Sequence, residues 1–110
     1  MKDLRKYLLD IILTIEDIQS FANEYSLVDY EVVEKKWAVE RGISIIGEAL
    51  FKAHKLDPTL AVTNIQQIIG TRHIVIHDYD RVDPARLLVI VKKHLPILKT
   101  EIENILNELD

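Results

Sequence analysis

Residues 3–25 have the sequence DLRKYLLDIILTIEDIQSFANEY. Its apolar side chains recur three or four residues apart, a spacing that places them on one face of an α-helix. We therefore predict a single helix over residues 3–25, with this face turned toward the core. The stripe consists of Leu4, Leu8, Ile11, Ile12, Ile15, Ile18 and Ala22.

The same periodicity predicts two further long helices, over residues 30–55 and residues 84–108. The first of these contains Gly42 and Gly47, which cost helix propensity but allow another helix to approach closely. Trp37 lies on its apolar stripe, where it would serve as a core residue or as a contact between subunits. The two stripes are Val33, Trp37, Ile43, Ile46, Leu50 and Ala53, and Leu87, Leu88, Val91, Leu95, Leu98, Ile102, Ile105 and Leu109.

Two short helices are predicted between these long ones. Asp57 and Pro58 mark a start, because Asp caps helices and proline is tolerated at the first helical position. We therefore expect a helix over residues 58–69, ended by a break at Gly70. Residues 71–78 are rich in β-branched side chains, but an isolated strand would have nothing to pair with, so we predict a second short helix.

The last long helix begins at a second Asp-Pro pair, Asp83-Pro84, and Pro96 should kink it. Together the segments predict an all-α, up-down bundle of three long and two short helices. A length of 110 residues suits one domain. We therefore assign residues 1–110 to a single domain.

Composition excludes several classes of protein. The chain is 48% apolar and 29% charged and has no cysteine, which rules out disulfide frameworks, thiolate zinc sites and iron–sulfur clusters. No apolar run approaches the roughly 20 residues of a membrane span. Acidic residues follow closely after the first lysine, unlike in a secretion signal. We expect a cytoplasmic protein with no membrane contact.

Charge is distributed unevenly along the chain. The net charge of −4 argues against a general nucleic-acid coating protein. Residues 70–99, however, carry 6 Lys/Arg, 3 Asp/Glu and three of the four histidines. The positive charge and most imidazoles therefore share one segment.

The densest polar cluster is residues 72–81, RHIVIHDYDR. Arg72 presents a fixed fork of donors to a phosphate, and His77 is a residue type that accepts and donates protons in catalysis. Five residues of helix rotate the two side chains apart by about 140° and separate them by about 7.5 Å along the axis. A shared site therefore needs a bent helix end or a second copy of the chain. Otherwise the cluster is a polar helix end capped by its own side chains.

A metal site is a further alternative. His73 and His77 are four residues apart and share a helical face, so they could hold a metal. Asp78 or Asp80 could supply a third ligand. The glutamate that follows the first histidine in zinc proteases is absent, because residue 74 is isoleucine.

Residues 70–83, GTRHIVIHDYDRVD, resemble the R-x4-H-x-Y signature of HepT-like toxins, a branch of the HEPN superfamily. Residues 37–49, WAVERGISIIGEA, resemble the second-helix signature of that family. The stretch His94-Leu95-Pro96 is similar to one in its last helix. The resemblance covers about residues 3–107.

The resemblance implies an all-α, HEPN-like homodimer that cleaves RNA without a metal or a cofactor, with RNA and not DNA as its substrate. It makes Arg72 and His77 the catalytic residues in a cleft between two chains. His73 and Asp78 would support that site. His73 departs from the asparagine that is common in this branch, which gives the site another titrating or hydrogen-bonding group.

The resemblance also implies a partner. HepT-like toxins are paired with a minor nucleotidyltransferase antitoxin in a type VII-like toxin–antitoxin system. The antitoxin adds AMP to the signature tyrosine, which is Tyr79 here, and a bulky anion two residues from His77 would block the cleft. The alternative is a non-catalytic helical subunit that binds a nucleotide or a nucleotidyltransferase.

Overall fold

Helices make up all the regular structure in the part of the chain that the computed structural model describes, residues 2–22, 33–77 and 84–109. The predicted all-α class is confirmed. No helix in these ranges is long and apolar enough to cross a bilayer. The elements are α1 (Lys2–Ala22), α2 (Val33–Leu56), α3 (Ile65–His77), α4 (Pro84–Val89), a π-helical turn (Ile90–His94) and α5 (Leu95–Leu109).

α2 lies at the centre of the described helices, because both α1 and α3 pack against it. α1 packs against both α2 and α5, and α3 packs against α2. α1 and α2 run antiparallel, since Gly42 faces Ile18 and the Nζ of Lys52 lies 5.8 Å from the ring centroid of Tyr7. α2 therefore carries α1 on one flank and α3 on the other.

Most residues of the predicted apolar stripes form the core, whereas Leu109, predicted in the last stripe, is exposed. Burying one large aliphatic side chain stabilises a fold by about 1.5–3 kcal/mol, so this cluster is the main favourable contribution. Trp37 lies outside it, with 65% of its surface exposed, because nine residues turn it about 180° away from Ile46 on α2. Its interpretation as a core residue is wrong. The buried apolar residues are Leu4, Leu8, Ile11, Ile15, Ile18, Val39, Ile43, Ile46, Ala49, Leu50, Ala53, Ile68, Leu87, Ile90, Val91, Leu95, Leu98 and Ile102.

The two predicted short helices, over 58–69 and 71–78, are wrong as separate elements. One 13-residue helix, α3, begins at Ile65 and runs through Gly70 to His77. Asp57 caps no helix; its Oδ1 accepts from the backbone N–H of Thr59 at 3.0 Å and from its hydroxyl at 2.5 Å, which closes a local turn. Gly70 is helical, since glycine weakens a helix without ending it when packing supports the turn.

The start of α3 is fixed by α5. The carboxylate of Glu101 accepts from the hydroxyl of Thr63 at 2.7 Å and from its backbone N–H at 3.1 Å. The Asn64 carbonyl then accepts the first helical hydrogen bond, from the N–H of Ile68 at 3.1 Å. This contact between residues far apart in sequence delays the start of the helix beyond the Asp-Pro signal.

The last helix begins at Pro84, as predicted. It accommodates Pro96 by a wider, π-helical turn in the residues before the proline. Over Ile90–His94 the backbone is π-helical, and the N–H of Leu95 donates to the carbonyl of Ile90. Proline lacks an N–H and its ring crowds the carbonyl four residues before it. Widening the preceding turn makes room for that ring while Val91 and Leu95 stay in the core.

Candidate active site

Arg72 lies where α3 contacts α2. Its aliphatic stem lies against Gly47, and its Nη2 donates to the Oε2 of Glu48. The other oxygen of Glu48 lies 3.4 Å from the Nζ of Lys52. The Arg72 side chain remains 26% exposed, so it is held in place and only partly covered.

Gly47 makes this placement possible. A Cβ at residue 47 would lie 2.6 Å from the Cβ of Arg72 and 2.8 Å from its Cδ, well inside the optimal separation of carbon atoms. The Cβ of Arg72 is fixed to the backbone of α3, so a side chain at residue 47 would push α3 away from α2. The prediction that Gly47 allows a close helix approach is confirmed.

His73 and His77 lie together on the exposed side of α3. Their ring centroids are 4.6 Å apart with an angle of 46° between the planes, as expected for residues four apart on a helix. α3 stays α-helical from Arg72 to His77. The two predicted catalytic side chains therefore point about 140° apart, and one copy of the helix does not bring them to a single point.

Thr71 links α3 to the beginning of the last helix. It is buried, with 2% of its surface exposed. Its hydroxyl donates to the Gln67 carbonyl at 2.7 Å and accepts from the Nε of Arg86 at 3.2 Å. This contact fixes α4 against α3 just before Arg72, and so positions the two helix ends that flank residues 78–83.

The comparison with known families settles the relationship. A family model described as "Ribonuclease HepT-like" matches residues 11–105. The chain belongs to the HepT-like ribonuclease family.

Two relatives of this HepT-like chain come from Methanocaldococcus jannaschii. The protein named "Putative RNase MJ1380" is 32% identical over 108 residues, which cover 93% of this chain and 95% of the relative. The protein named "Putative RNase MJ0125" is 31% identical over 114 residues, which cover 99% and 96%. No solved structure matches the chain.

Part of the predicted HepT-like site falls beyond the described residues. Asp78 and Tyr79 lie there, and their predicted roles stay predictions. Among residues 2–22, 33–77 and 84–109, no group of three or more His, Cys, Asp or Glu side chains is placed to hold a metal. His73 and His77 form a pair, and the proposed third ligands, Asp78 and Asp80, are in the part not described.

Sequence reasoning missed two contacts of this HepT-like fold, the Glu48–Arg72 ion pair and the hydrogen bond from Arg86 to Thr71. Glu48 entered only as one letter of a resembling segment, and Thr71 and Arg86 were not singled out. A buried threonine beside a glycine in a polar segment is a weak signal. The pairing of Glu48 with Arg72 depends on how α2 and α3 pack, which periodicity alone does not give.

His94, at the end of the π-helical turn, is partly buried. Burial lowers the pKa of its imidazole, and the positive charge of Lys93 lowers that pKa further. Its Nδ1 is buried, and no residue in the described ranges gives it a hydrogen bond. The protonated ring is therefore disfavoured here, which bears on the stability of the fold at low pH.

Proposed function

We propose that this HepT-like chain is a metal-independent endoribonuclease in which Arg72 and His77 are the catalytic pair. The observation that carries the proposal is the anchored and partly exposed side chain of Arg72, one and a half turns before His77, in a chain of a ribonuclease family. A guanidinium matches the geometry of a phosphate. An imidazole exchanges protons near neutral pH.

The proposed reaction uses the nucleophile that RNA carries. His77 accepts the proton of a ribose 2′-hydroxyl while the 2′-oxygen bonds to the adjacent phosphorus. The bond from phosphorus to the 5′-oxygen breaks, and that oxygen takes a proton from the imidazole of His77 in a second copy. Arg72 stabilises the negative charge on the non-bridging oxygens. The products are a 2′,3′-cyclic phosphate and a 5′-hydroxyl, and DNA, which lacks the 2′-hydroxyl, is not cleaved.

A homodimer is part of this proposal. Arg72 and His77 diverge on one regular helix. We therefore place the site between two chains, where side chains of the second copy complete it. Exposed apolar side chains near Arg72 support such a contact. Ile76, one turn beyond Arg72 on α3, is 43% exposed, and Phe51, about one turn beyond Gly47 on α2, is 45% exposed. Burial of these two side chains between copies would favour association.

We further propose that the chain is the toxin of a type VII-like toxin–antitoxin pair. Its partner would be a minor nucleotidyltransferase that adds AMP to Tyr79. Tyr79 lies two residues beyond His77, so an added phosphate group would place negative charge next to the imidazole and repel RNA. The sequence resemblance supports this regulation.

The experiment that tests the ribonuclease is expression of the wild type beside His77→Ala, Arg72→Ala and His54→Ala. His54, in the last turn of α2, controls for the loss of an imidazole. We expect the wild type and His54→Ala to arrest growth and the other two to be harmless. Normal growth with a folded wild type would contradict the toxin role, and equal cleavage of RNA by wild type and His77→Ala would contradict the site.

A further inference from the structure

We propose that Glu48 is a positioning residue for Arg72 in RNA cleavage, an inference that rests on the proposed function. Its Oε2 accepts from the Nη2 of Arg72. It acts through that guanidinium and does not itself contact the RNA. Glu48 belongs to α2, so the site would be built across two helices.

Two contacts hold the side chain of Arg72, whose Nε is buried with no acceptor among the described residues. Its stem lies on Gly47, and its Nη2 donates to Glu48. A long, flexible side chain thereby loses most of its rotational freedom before substrate arrives. The side chain is still 26% exposed, so a phosphate can approach while the guanidinium is held.

The charge of Glu48 separates this role from simple RNA binding. A carboxylate repels a phosphate, so Glu48 does not raise the affinity for RNA, and Lys52 at 3.4 Å offsets only part of its charge. Its benefit is the orientation of Arg72 at the moment when charge develops on the phosphoryl oxygens. Removing Glu48 should therefore lower kcat while leaving KM unchanged or lower.

The test compares Glu48→Ala, Glu48→Met and Glu48→Gln with the wild type on a fluorophore–quencher RNA oligonucleotide of mixed sequence. Glu48 is 41% exposed, and alanine and methionine are strong helix formers, so these variants should fold. Glu103→Ala is the matched control, because it removes an exposed carboxylate from α5. Circular dichroism and gel filtration establish that each variant has the wild-type fold and size.

We expect kcat to fall roughly ten- to a hundredfold in Glu48→Ala and Glu48→Met, with no rise in KM. Glu48→Gln should recover part of the loss, because its amide oxygen still accepts from Nη2. Should Glu48→Ala misfold, Glu48→Met decides. Wild-type kcat, faster cleavage, or a loss confined to KM in these variants would overturn the positioning role.

Two outcomes distinguish the ribonuclease activity of the chain from the role of Glu48. If the wild type leaves both the oligonucleotide and total RNA intact, the ribonuclease itself is refuted. If the wild type cleaves RNA, Arg72→Ala does not, and Glu48→Ala cleaves like the wild type, only the role of Glu48 is refuted.

Discussion

Replacing Gly47 with alanine should change the free energy of unfolding through two opposing effects, a gain in helix propensity and a steric clash. Alanine in a helix interior is favoured over glycine by about 1 kcal/mol. At residue 47, however, the new Cβ would lie 2.6 Å from the Cβ of Arg72. Overpacking of this kind costs about 1–3 kcal/mol. The free energy of unfolding of Gly47→Ala should therefore fall by about 0–2 kcal/mol, the difference of these two ranges.

Gly70 is the matched control, because it lies inside α3 and also has a helical backbone. Among the described residues, a Cβ there would meet only the Nη2 of Arg86, at 3.7 Å, which is an ordinary contact. Gly70→Ala should therefore gain about 1 kcal/mol. For a chain of this size 1 kcal/mol corresponds to about 4 °C in Tm. Gly70→Ala should melt about 4 °C above the wild type, and Gly47→Ala up to about 8 °C below it.

The assay is thermal unfolding followed by circular dichroism, at one protein concentration for all variants because association raises Tm. RNA cleavage by Gly47→Ala should also be lower, since displacement of α3 moves Arg72. A gain in stability of Gly47→Ala equal to that of Gly70→Ala would show that the added Cβ is not crowded by Arg72. Wild-type RNA cleavage by Gly47→Ala would show that Arg72 is not displaced.

Further predictions concern the core and pH. Ile15→Ala, at a fully buried position, should lower the free energy of unfolding by about 2–5 kcal/mol. Leu13→Ala, at a position 60% exposed, should change the free energy of unfolding by no more than about 0.5 kcal/mol. Equal effects of the two substitutions in urea unfolding would contradict the assigned core. The lowered pKa of His94 means that the unfolded chain binds a proton more readily, so this residue costs stability as pH falls below about 6.5. His94→Gln, which does not titrate, should therefore lose less stability between pH 7 and pH 5 than the wild type, and identical pH profiles would show that the fold does not disfavour protonation of His94.

The long helices were predictable from the sequence because periodicity records which side chains face the core. Leu4, Leu8, Ile11, Ile15 and Ile18 are all buried as the stripe requires. The local sequence signal for a helix start failed where a contact between residues far apart in sequence determines the start. Glu101 binds Thr63 and fixes where α3 begins, so the Asp-Pro signal at residues 57–58 starts a turn and not a helix.

The candidate site could be predicted only in part. The placement of Arg72, His73 and His77 on one helix followed from their clustering in the sequence, and the divergence of Arg72 from His77 followed from helical geometry. The anchoring of Arg72 by Gly47 and Glu48 could not be predicted, because it depends on the side of α2 against which α3 packs. A glycine inside a helix indicates a close approach but does not name the residue that fills the space.

Metal-independent cleavage of RNA by Arg72 and His77 is tested by incubating purified wild type, His77→Ala and His54→Ala with total RNA in EDTA and analysing the ends of the products. We predict cleavage by the wild type and by His54→Ala, 2′,3′-cyclic phosphate ends, and intact RNA with His77→Ala. Cleavage by His77→Ala at the wild-type rate, or a wild-type activity that EDTA abolishes, would contradict the proposed metal-independent catalysis by Arg72 and His77.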